Sequence, residues 1–171
     1  MKTGVLVLLV LICFACSNIS NQNKNSQKRS NLEKNESMEE LIKRAKSGDS
    51  EALEDIWKFT FELPQWYFPC RYKENVNDAM PFVGVLDGKP LLFAFTDSKK
   101  AQEFAKTQGL ANKIGETLIL SKTPTNTQIF LDSIKAEGVI GIYFNNGPDG
   151  WFSEIDELPN ILKSLKVKRK I

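Results

Sequence analysis

The chain contains no histidine. That absence removes the Ser-His-Asp triad, the Cys-His dyad and every zinc site built on imidazole. Cysteine is nearly as scarce, with three in 171 residues, at Cys13, Cys16 and Cys70. Loss of the first fifteen residues would leave only Cys16 and Cys70. A disulfide scaffold is therefore not expected. Charge of one sign is lacking too. The formal net charge is +2, and removing Lys2 takes it to +1. A near-neutral chain gives no electrostatic reason to expect nucleic acid as a partner. Long apolar runs are also missing. The longest, Val5 to Ala15, falls well short of the ~20 residues a membrane-spanning helix needs.

That run is informative in another way. Lys2 gives a short positive region, the apolar stretch follows, and small Ala15 ends it before the chain turns polar. Positive start, apolar middle and small-residue end make a secretory signal over residues 1–15. Cys13-Phe14-Ala15-Cys16 resembles the bacterial lipobox. It departs from that pattern at Cys13, where the lipobox prefers leucine. Bulky Ile12 before Cys13 makes Cys13 itself a poor lipidation site. The resemblance implies cleavage before Cys16 and acylation (palmitate-type chains) on Cys16. The alternative is an ordinary cleaved signal with a cysteine there by chance. Each buried CH₂ contributes about 0.8 kcal/mol, and two or more chains anchor stably. The expected membrane partner is therefore reached through the N-terminal lipid. Ser17 rather than Asp follows the cysteine. By resemblance to enterobacterial sorting, this points to the outer membrane or cell surface rather than the inner membrane.

Residues 16–36 read as a polar tether rich in Asn, Ser and Lys. Such a segment cannot bury enough apolar surface to offset its ordering entropy. A flexible chain of that length spans roughly 25 Å root-mean-square. From Met38 about 130 residues remain, enough for one core. The expected domain is 37–166, with a basic tail at 167–171. Lys163, Lys166, Lys168, Arg169 and Lys170 are the one local charge excess. They read as cations at the negative end of a helix dipole, followed by a frayed end.

Ser37-Met38-Glu39-Glu40 is a capping box, and Met38, Leu41, Ile42 and Ala45 follow at helical spacing up to Gly48. Asp49 or Ser50 starts a second helix with Ala52, Leu53, Ile56, Trp57 and Phe61 as its stripe, stopped by Pro64. Trp66–Tyr72 reads as a strand, interrupted by Pro69. Residues 81–86 and 90–95 flank Asp87-Gly88 as a hairpin. Thr96, Asp97 or Ser98 caps a helix that ends near Gly109. A strand over 116–120 follows. A helix bearing Ile129, Phe130 and Ile134 comes next, then strands at 139–144 and Trp151-Phe152. Asp156 is expected to cap a last helix, with Pro159 in its first turn. Local hairpins mixed with crossovers predict a single α+β domain, a mixed sheet with helices packed on it, preceded by a two-helix segment.

From about Leu53 to Leu162 the chain is similar to the SseB-like domain. The residues that carry this are Phe95-Thr96-Asp97 leading into a helix that closes with Phe104-Ala105. Gly138 to Asn145, then Gly147-Pro148 and Trp151, complete it. The family often shows Asn followed directly by Pro after that strand. Here Asn146 and Gly147 intervene. The resemblance implies a fold and no catalytic residues, so none are carried over.

Candidate chemistry is thin. Cys70 stands beside Arg71, which could favour a thiolate and a thiol-dependent regulatory role. A lone strand cysteine is more often a small buried residue. Asn145, Asp149, Ser153 and Asp156 approach calcium-loop spacing. The first ligand, the third position and the last residue are all wrong for one, and a strand precedes it. No metal and no cofactor is expected. Asp97 and Asp156 read as caps rather than acid catalysts. The aromatic strands are the most suggestive set. Alternation sends Trp66 and Phe68 to one face and Tyr67 to the other, and separates Trp151 from Phe152. Trp66, Tyr67 and Trp151, with Asn145 and Asp149, are therefore the candidate binding residues, against the plainer reading that the aromatics pack. The function expected is a non-enzymatic, membrane-anchored envelope protein that holds a protein partner. A small-ligand sensor with an aromatic cleft is the alternative.

Overall fold

A computed structural model describes residues 36–75 and 78–168. The expected signal and most of the tether lie outside the described residues, as do Cys16 and the last three residues. No helix among the described residues is long and apolar enough to cross a membrane.

Local chemistry sets the first helix pair. Ser37 caps α1 (Met38–Lys46): its Oγ accepts from Glu40 N at 3.2 Å, and Glu40 Oε2 accepts from Ser37 N at 3.0 Å. Gly48, at φ +95°, turns the chain. Asp49 then caps α2 (Ser50–Glu62), accepting from Glu51 N and Ala52 N. The same carboxylate accepts from Arg44 Nε and Nη2 at 2.9 and 2.7 Å, tying the two helices together.

Strand β1 is Trp66–Cys70. Strands β2 (Val83–Leu86) and β3 (Lys89–Ala94) meet at Asp87 and Gly88, both at positive φ, the signature of a tight hairpin turn. Asp97 caps α3 (Ser98–Thr107) with bonds of 2.8 and 3.0 Å from Lys99 N and Lys100 N. Strand β4 is Leu118–Lys122, two residues later than its pattern suggests. The Asn112 side chain accepts from Ile114 N and Glu116 N and holds that stretch in a turn. A 3₁₀ turn, Pro124–Asn126, leads into α4 (Gln128–Ala136). Strands β5 (Gly141–Phe144) and β6 (Trp151–Glu154) follow, then a 3₁₀ turn (Ile155–Glu157) and α5 (Leu158–Lys168).

The main sheet runs β2-β3-β5-β6, with β3 and β5 parallel and the outer pairs antiparallel. β1 and β4 form a separate antiparallel ladder. It joins the main sheet where Tyr67 and Phe95 exchange backbone bonds of 3.0 and 2.8 Å. The result is one α+β body with a mixed sheet and an N-terminal helix pair.

Each sheet face carries its own core. Leu92, Ala94, Ile142 and Phe144 point to one side, with Trp66, Phe68 and Trp151. Helices α1, α2, α4 and α5 close over them through Ile42, Ile56, Trp57, Leu131, Ile134, Leu158 and Leu165. Leu91, Phe93 and Phe95 point to the other side, under Ala101, Phe104 and Ala105 of α3. Each fully buried Leu, Ile or Phe here contributes roughly 1.5–3 kcal/mol.

Four expectations need correction. Ile129 is 85% exposed and Leu131 takes its place inside. α4 begins at Gln128, so Leu131 and Ile134 share the inner face, three residues apart. Leu53 is also outside, at 45% exposed. Asp156 caps nothing: it lies within the 3₁₀ turn and its carboxylate pairs with Lys135 Nζ at 2.5 Å. The last helix also runs two residues into the segment expected to be tail.

Candidate functional site

The proposed aromatic set separates. Trp66 is 1% exposed, and its Nε1 donates to Thr60 O at 2.8 Å. Trp151 is 7% exposed and stacks on Phe144 at 5.5 Å. Its Nε1 finds no hydrogen-bond partner among the described residues. Both tryptophans are core, which corrects their candidacy as binding residues. Alternation did set the faces as expected, but both faces are covered. Tyr67 is half-buried against the α3 side. Phe152 is the ring left partly in solvent, at 40% exposed.

Asn145 and Asp149 stay near each other, beside the carboxyl ends of the parallel strands β3 and β5. Asn145 is buried and left-handed, with φ +45°. Its N donates to Ala94 O at 2.9 Å, its Oδ1 accepts from Thr96 N at 3.1 Å, and its Nδ2 donates to Thr96 Oγ1 at 3.1 Å. The side chain therefore latches the two strand ends to each other. Tyr143 Oη donates to Gly147 O at 3.0 Å, and Lys46 Nζ donates to Pro148 O, so the β5–β6 turn is held from both sides. Between this turn and α3 lies a cleft of about 350 Å³. Phe95 and Phe104 contribute its rings, Lys100 and Glu103 its helix wall, and Asn146 and Asp149 its opposite wall. Clefts at strand carboxyl ends are common ligand positions in sheets with parallel pairs. Here the polar groups do not converge into a catalytic set.

Cys70 is buried in β1, and its Sγ donates to Phe68 O at 3.5 Å. Burial raises its pKa above the ordinary thiol value. Arg71 does not offset that, so the thiol follows the plainer reading, a small buried strand residue, and not the thiolate alternative. Among the described residues no group of three or more His, Cys, Asp or Glu side chains could hold a metal ion.

The feature that the sequence reading missed is an edge. β2 is one of the two outer strands of the main sheet, β6 being the other. Val83 is 38% exposed, Val85 74% and Leu86 44%, and Met80 just before them is 61% exposed. Phe93 N donates to Phe82 O at 3.2 Å. Alternation then turns the amide and carbonyl of Val83 and Val85 away from β3. Edge strands usually carry lysine, proline or a bulge that discourages pairing. Val83-Gly84-Val85-Leu86 carries neither lysine nor proline. The signal was present in the sequence as a short strand with no polar position. No protein-family model matches this chain, and a search of curated proteins finds no significant relative.

Proposed function

We propose that this protein is an exported lipoprotein, anchored through Cys16 in a bacterial envelope, whose α+β domain holds a protein partner by strand addition to β2. The bare apolar edge of β2 carries this reading. Main-chain bonds from Val83 and Val85 would supply affinity, and the side chains of Val83, Val85 and Leu86 would supply a specific surface. The buried thiol and the lack of converging acid–base groups at the cleft favour a binding role over catalysis. The N-terminal pattern of Lys2, Val5–Ala15 and Cys16 supports the anchor. The likeness to the SseB-like domain belongs to the same reading, and rests on the Phe95–Asp97 junction and the 138–145 strand.

Two measurements test it. Labelled palmitate should enter the wild-type chain and not Cys16→Ser. A pull-down from detergent-solubilised membranes should recover a partner with wild type and lose it with Val85→Lys, a change at an exposed position that leaves the core intact. Recovery of the same proteins by both forms, or of none by either, overturns the edge assignment.

A further inference from the structure

A second surface lies where the chain leaves β1 and where it leaves α3. Tyr72 N donates to Leu110 O at 2.8 Å and ties the segment 71–74 to the segment 109–114. Between them is an open pocket of about 730 Å³. Leu110 is buried at its base. Arg71, Lys73 and Lys113 are exposed around it, against one lining carboxylate, Glu74. None of the three cations has an ion pair among the described residues. Two carboxylates near in sequence, Glu116 and Asp78, accept from Asn112 Nδ2 at 2.7 Å and Asn75 Nδ2 at 3.0 Å; neither lines the pocket, whose own lining carries three cations to one anion. Beside the cations stands Ile114, 79% exposed.

A projecting apolar side chain at the same pocket as unpaired cations complements an anionic bilayer: the chain enters the acyl boundary and the cations meet phosphates. We infer that this pocket docks the domain on an anionic membrane by taking a phospholipid phosphate between Arg71, Lys73 and Lys113, with Ile114 inserted beside it. The inference rests on the lipid-anchor reading. A tether of the kind read at residues 16–36 holds the domain at a millimolar-scale effective concentration of headgroups, so a weak site is filled.

The test uses the full-length acylated protein carrying Ile114→Trp, reconstituted in vesicles that contain brominated phosphatidylcholine. One set is otherwise neutral, and the other holds about 30 mol% phosphatidylglycerol. The parent protein, with its three buried tryptophans, gives the background. Quenching at position 114 should appear in the anionic set, fade at about 0.5 M salt, and be absent in neutral vesicles. Each removed cation should lower the docking equilibrium constant about fivefold, so the two charge reversals Lys73→Glu with Lys113→Glu should abolish docking. Both lysines are exposed, and an unchanged melting temperature confirms the fold of the variant. Equal quenching in both vesicle types, or none in either, overturns the inference. Failure to sediment with neutral vesicles is a separate result, and overturns the anchor instead.

Discussion

The two faces of the main sheet are closed by different means. Four helices cover one face, and its rings vanish beneath them: Trp57, Trp66, Phe144 and Trp151 pack at 4.9–6.1 Å. Among the described helices α3 alone covers the other face, with Tyr67 and Ile119 of the β1–β4 ladder beside it. The sheet also covers itself on this face, with rings laid over its own glycines. Phe93 and Phe82 lie over Gly84, Phe152 lies over Gly141, and Tyr143 lies against Gly150. A Cβ at Gly84 would stand 2.7 Å from Phe93 Cε2. A missing side chain on one strand thus makes room for a ring from its neighbour. The comparison teaches that a face can be sealed by a helix or by rings folded onto glycine, and that the second route leaves rings partly wet.

The contrast can be tested from each side. Trp66→Ala on the helix-covered face removes a ring that meets Phe144 and Phe61 and a donor to Thr60 O. It should cost about 3–5 kcal/mol in urea denaturation. On the other face, Gly141→Ala should cost about 1–3 kcal/mol, because the Phe152 ring and the Ser153 backbone oxygen both stand within 3 Å of the new Cβ. Adding Phe152→Ala should recover the part due to the ring and leave the part due to the backbone, with a coupling of at least about 0.5 kcal/mol in a double-mutant cycle. A neutral Gly141→Ala would erase the distinction between the faces. Cys70, under the ladder that joins both cores, should resist alkylation at neutral pH until the protein unfolds, as read by mass at that residue.

The smallest effect is at the exposed helix junction. The Arg44 hydrogen bonds, then the Ala52 amide, hold the Asp49 carboxyl below its usual value. A depressed folded pKa stabilises above the unfolded value of about 3.9 and is lost as pH falls through the folded one. Asp49→Asn should therefore lower the melting temperature at neutral pH, and the gap should close under acid.

Much of this fold could be read directly. Ser37, Asp49 and Asp97 announce helix starts because each supplies an oxygen to orphan amides, a strictly local interaction. Asp87-Gly88 announces its turn because both residues tolerate the positive φ that a tight hairpin needs, again a local property. Alternation correctly separated Trp66 from Tyr67 and Trp151 from Phe152. It could not say that both faces are covered, because that depends on where α2 and α3 land. Ile129 was misplaced because the 3₁₀ turn before α4 sets the phase of the helix. The exposed edge at Val83 and Val85 follows from strand order, which depends on pairings between residues far apart in sequence. The Asn145 latch to Thr96 spans 49 positions and has no local signature.

The bond from Lys46 to Pro148 spans 102 positions, and the core beneath it mixes Ile42, Ile56 and Trp57 with Ile155, Leu158 and Leu165. The first helices made therefore have no finished surface to settle on until the last helix exists. A chain lacking α5 would leave the inner faces of α1 and α2 open, so closure of this core depends on contacts far apart in sequence.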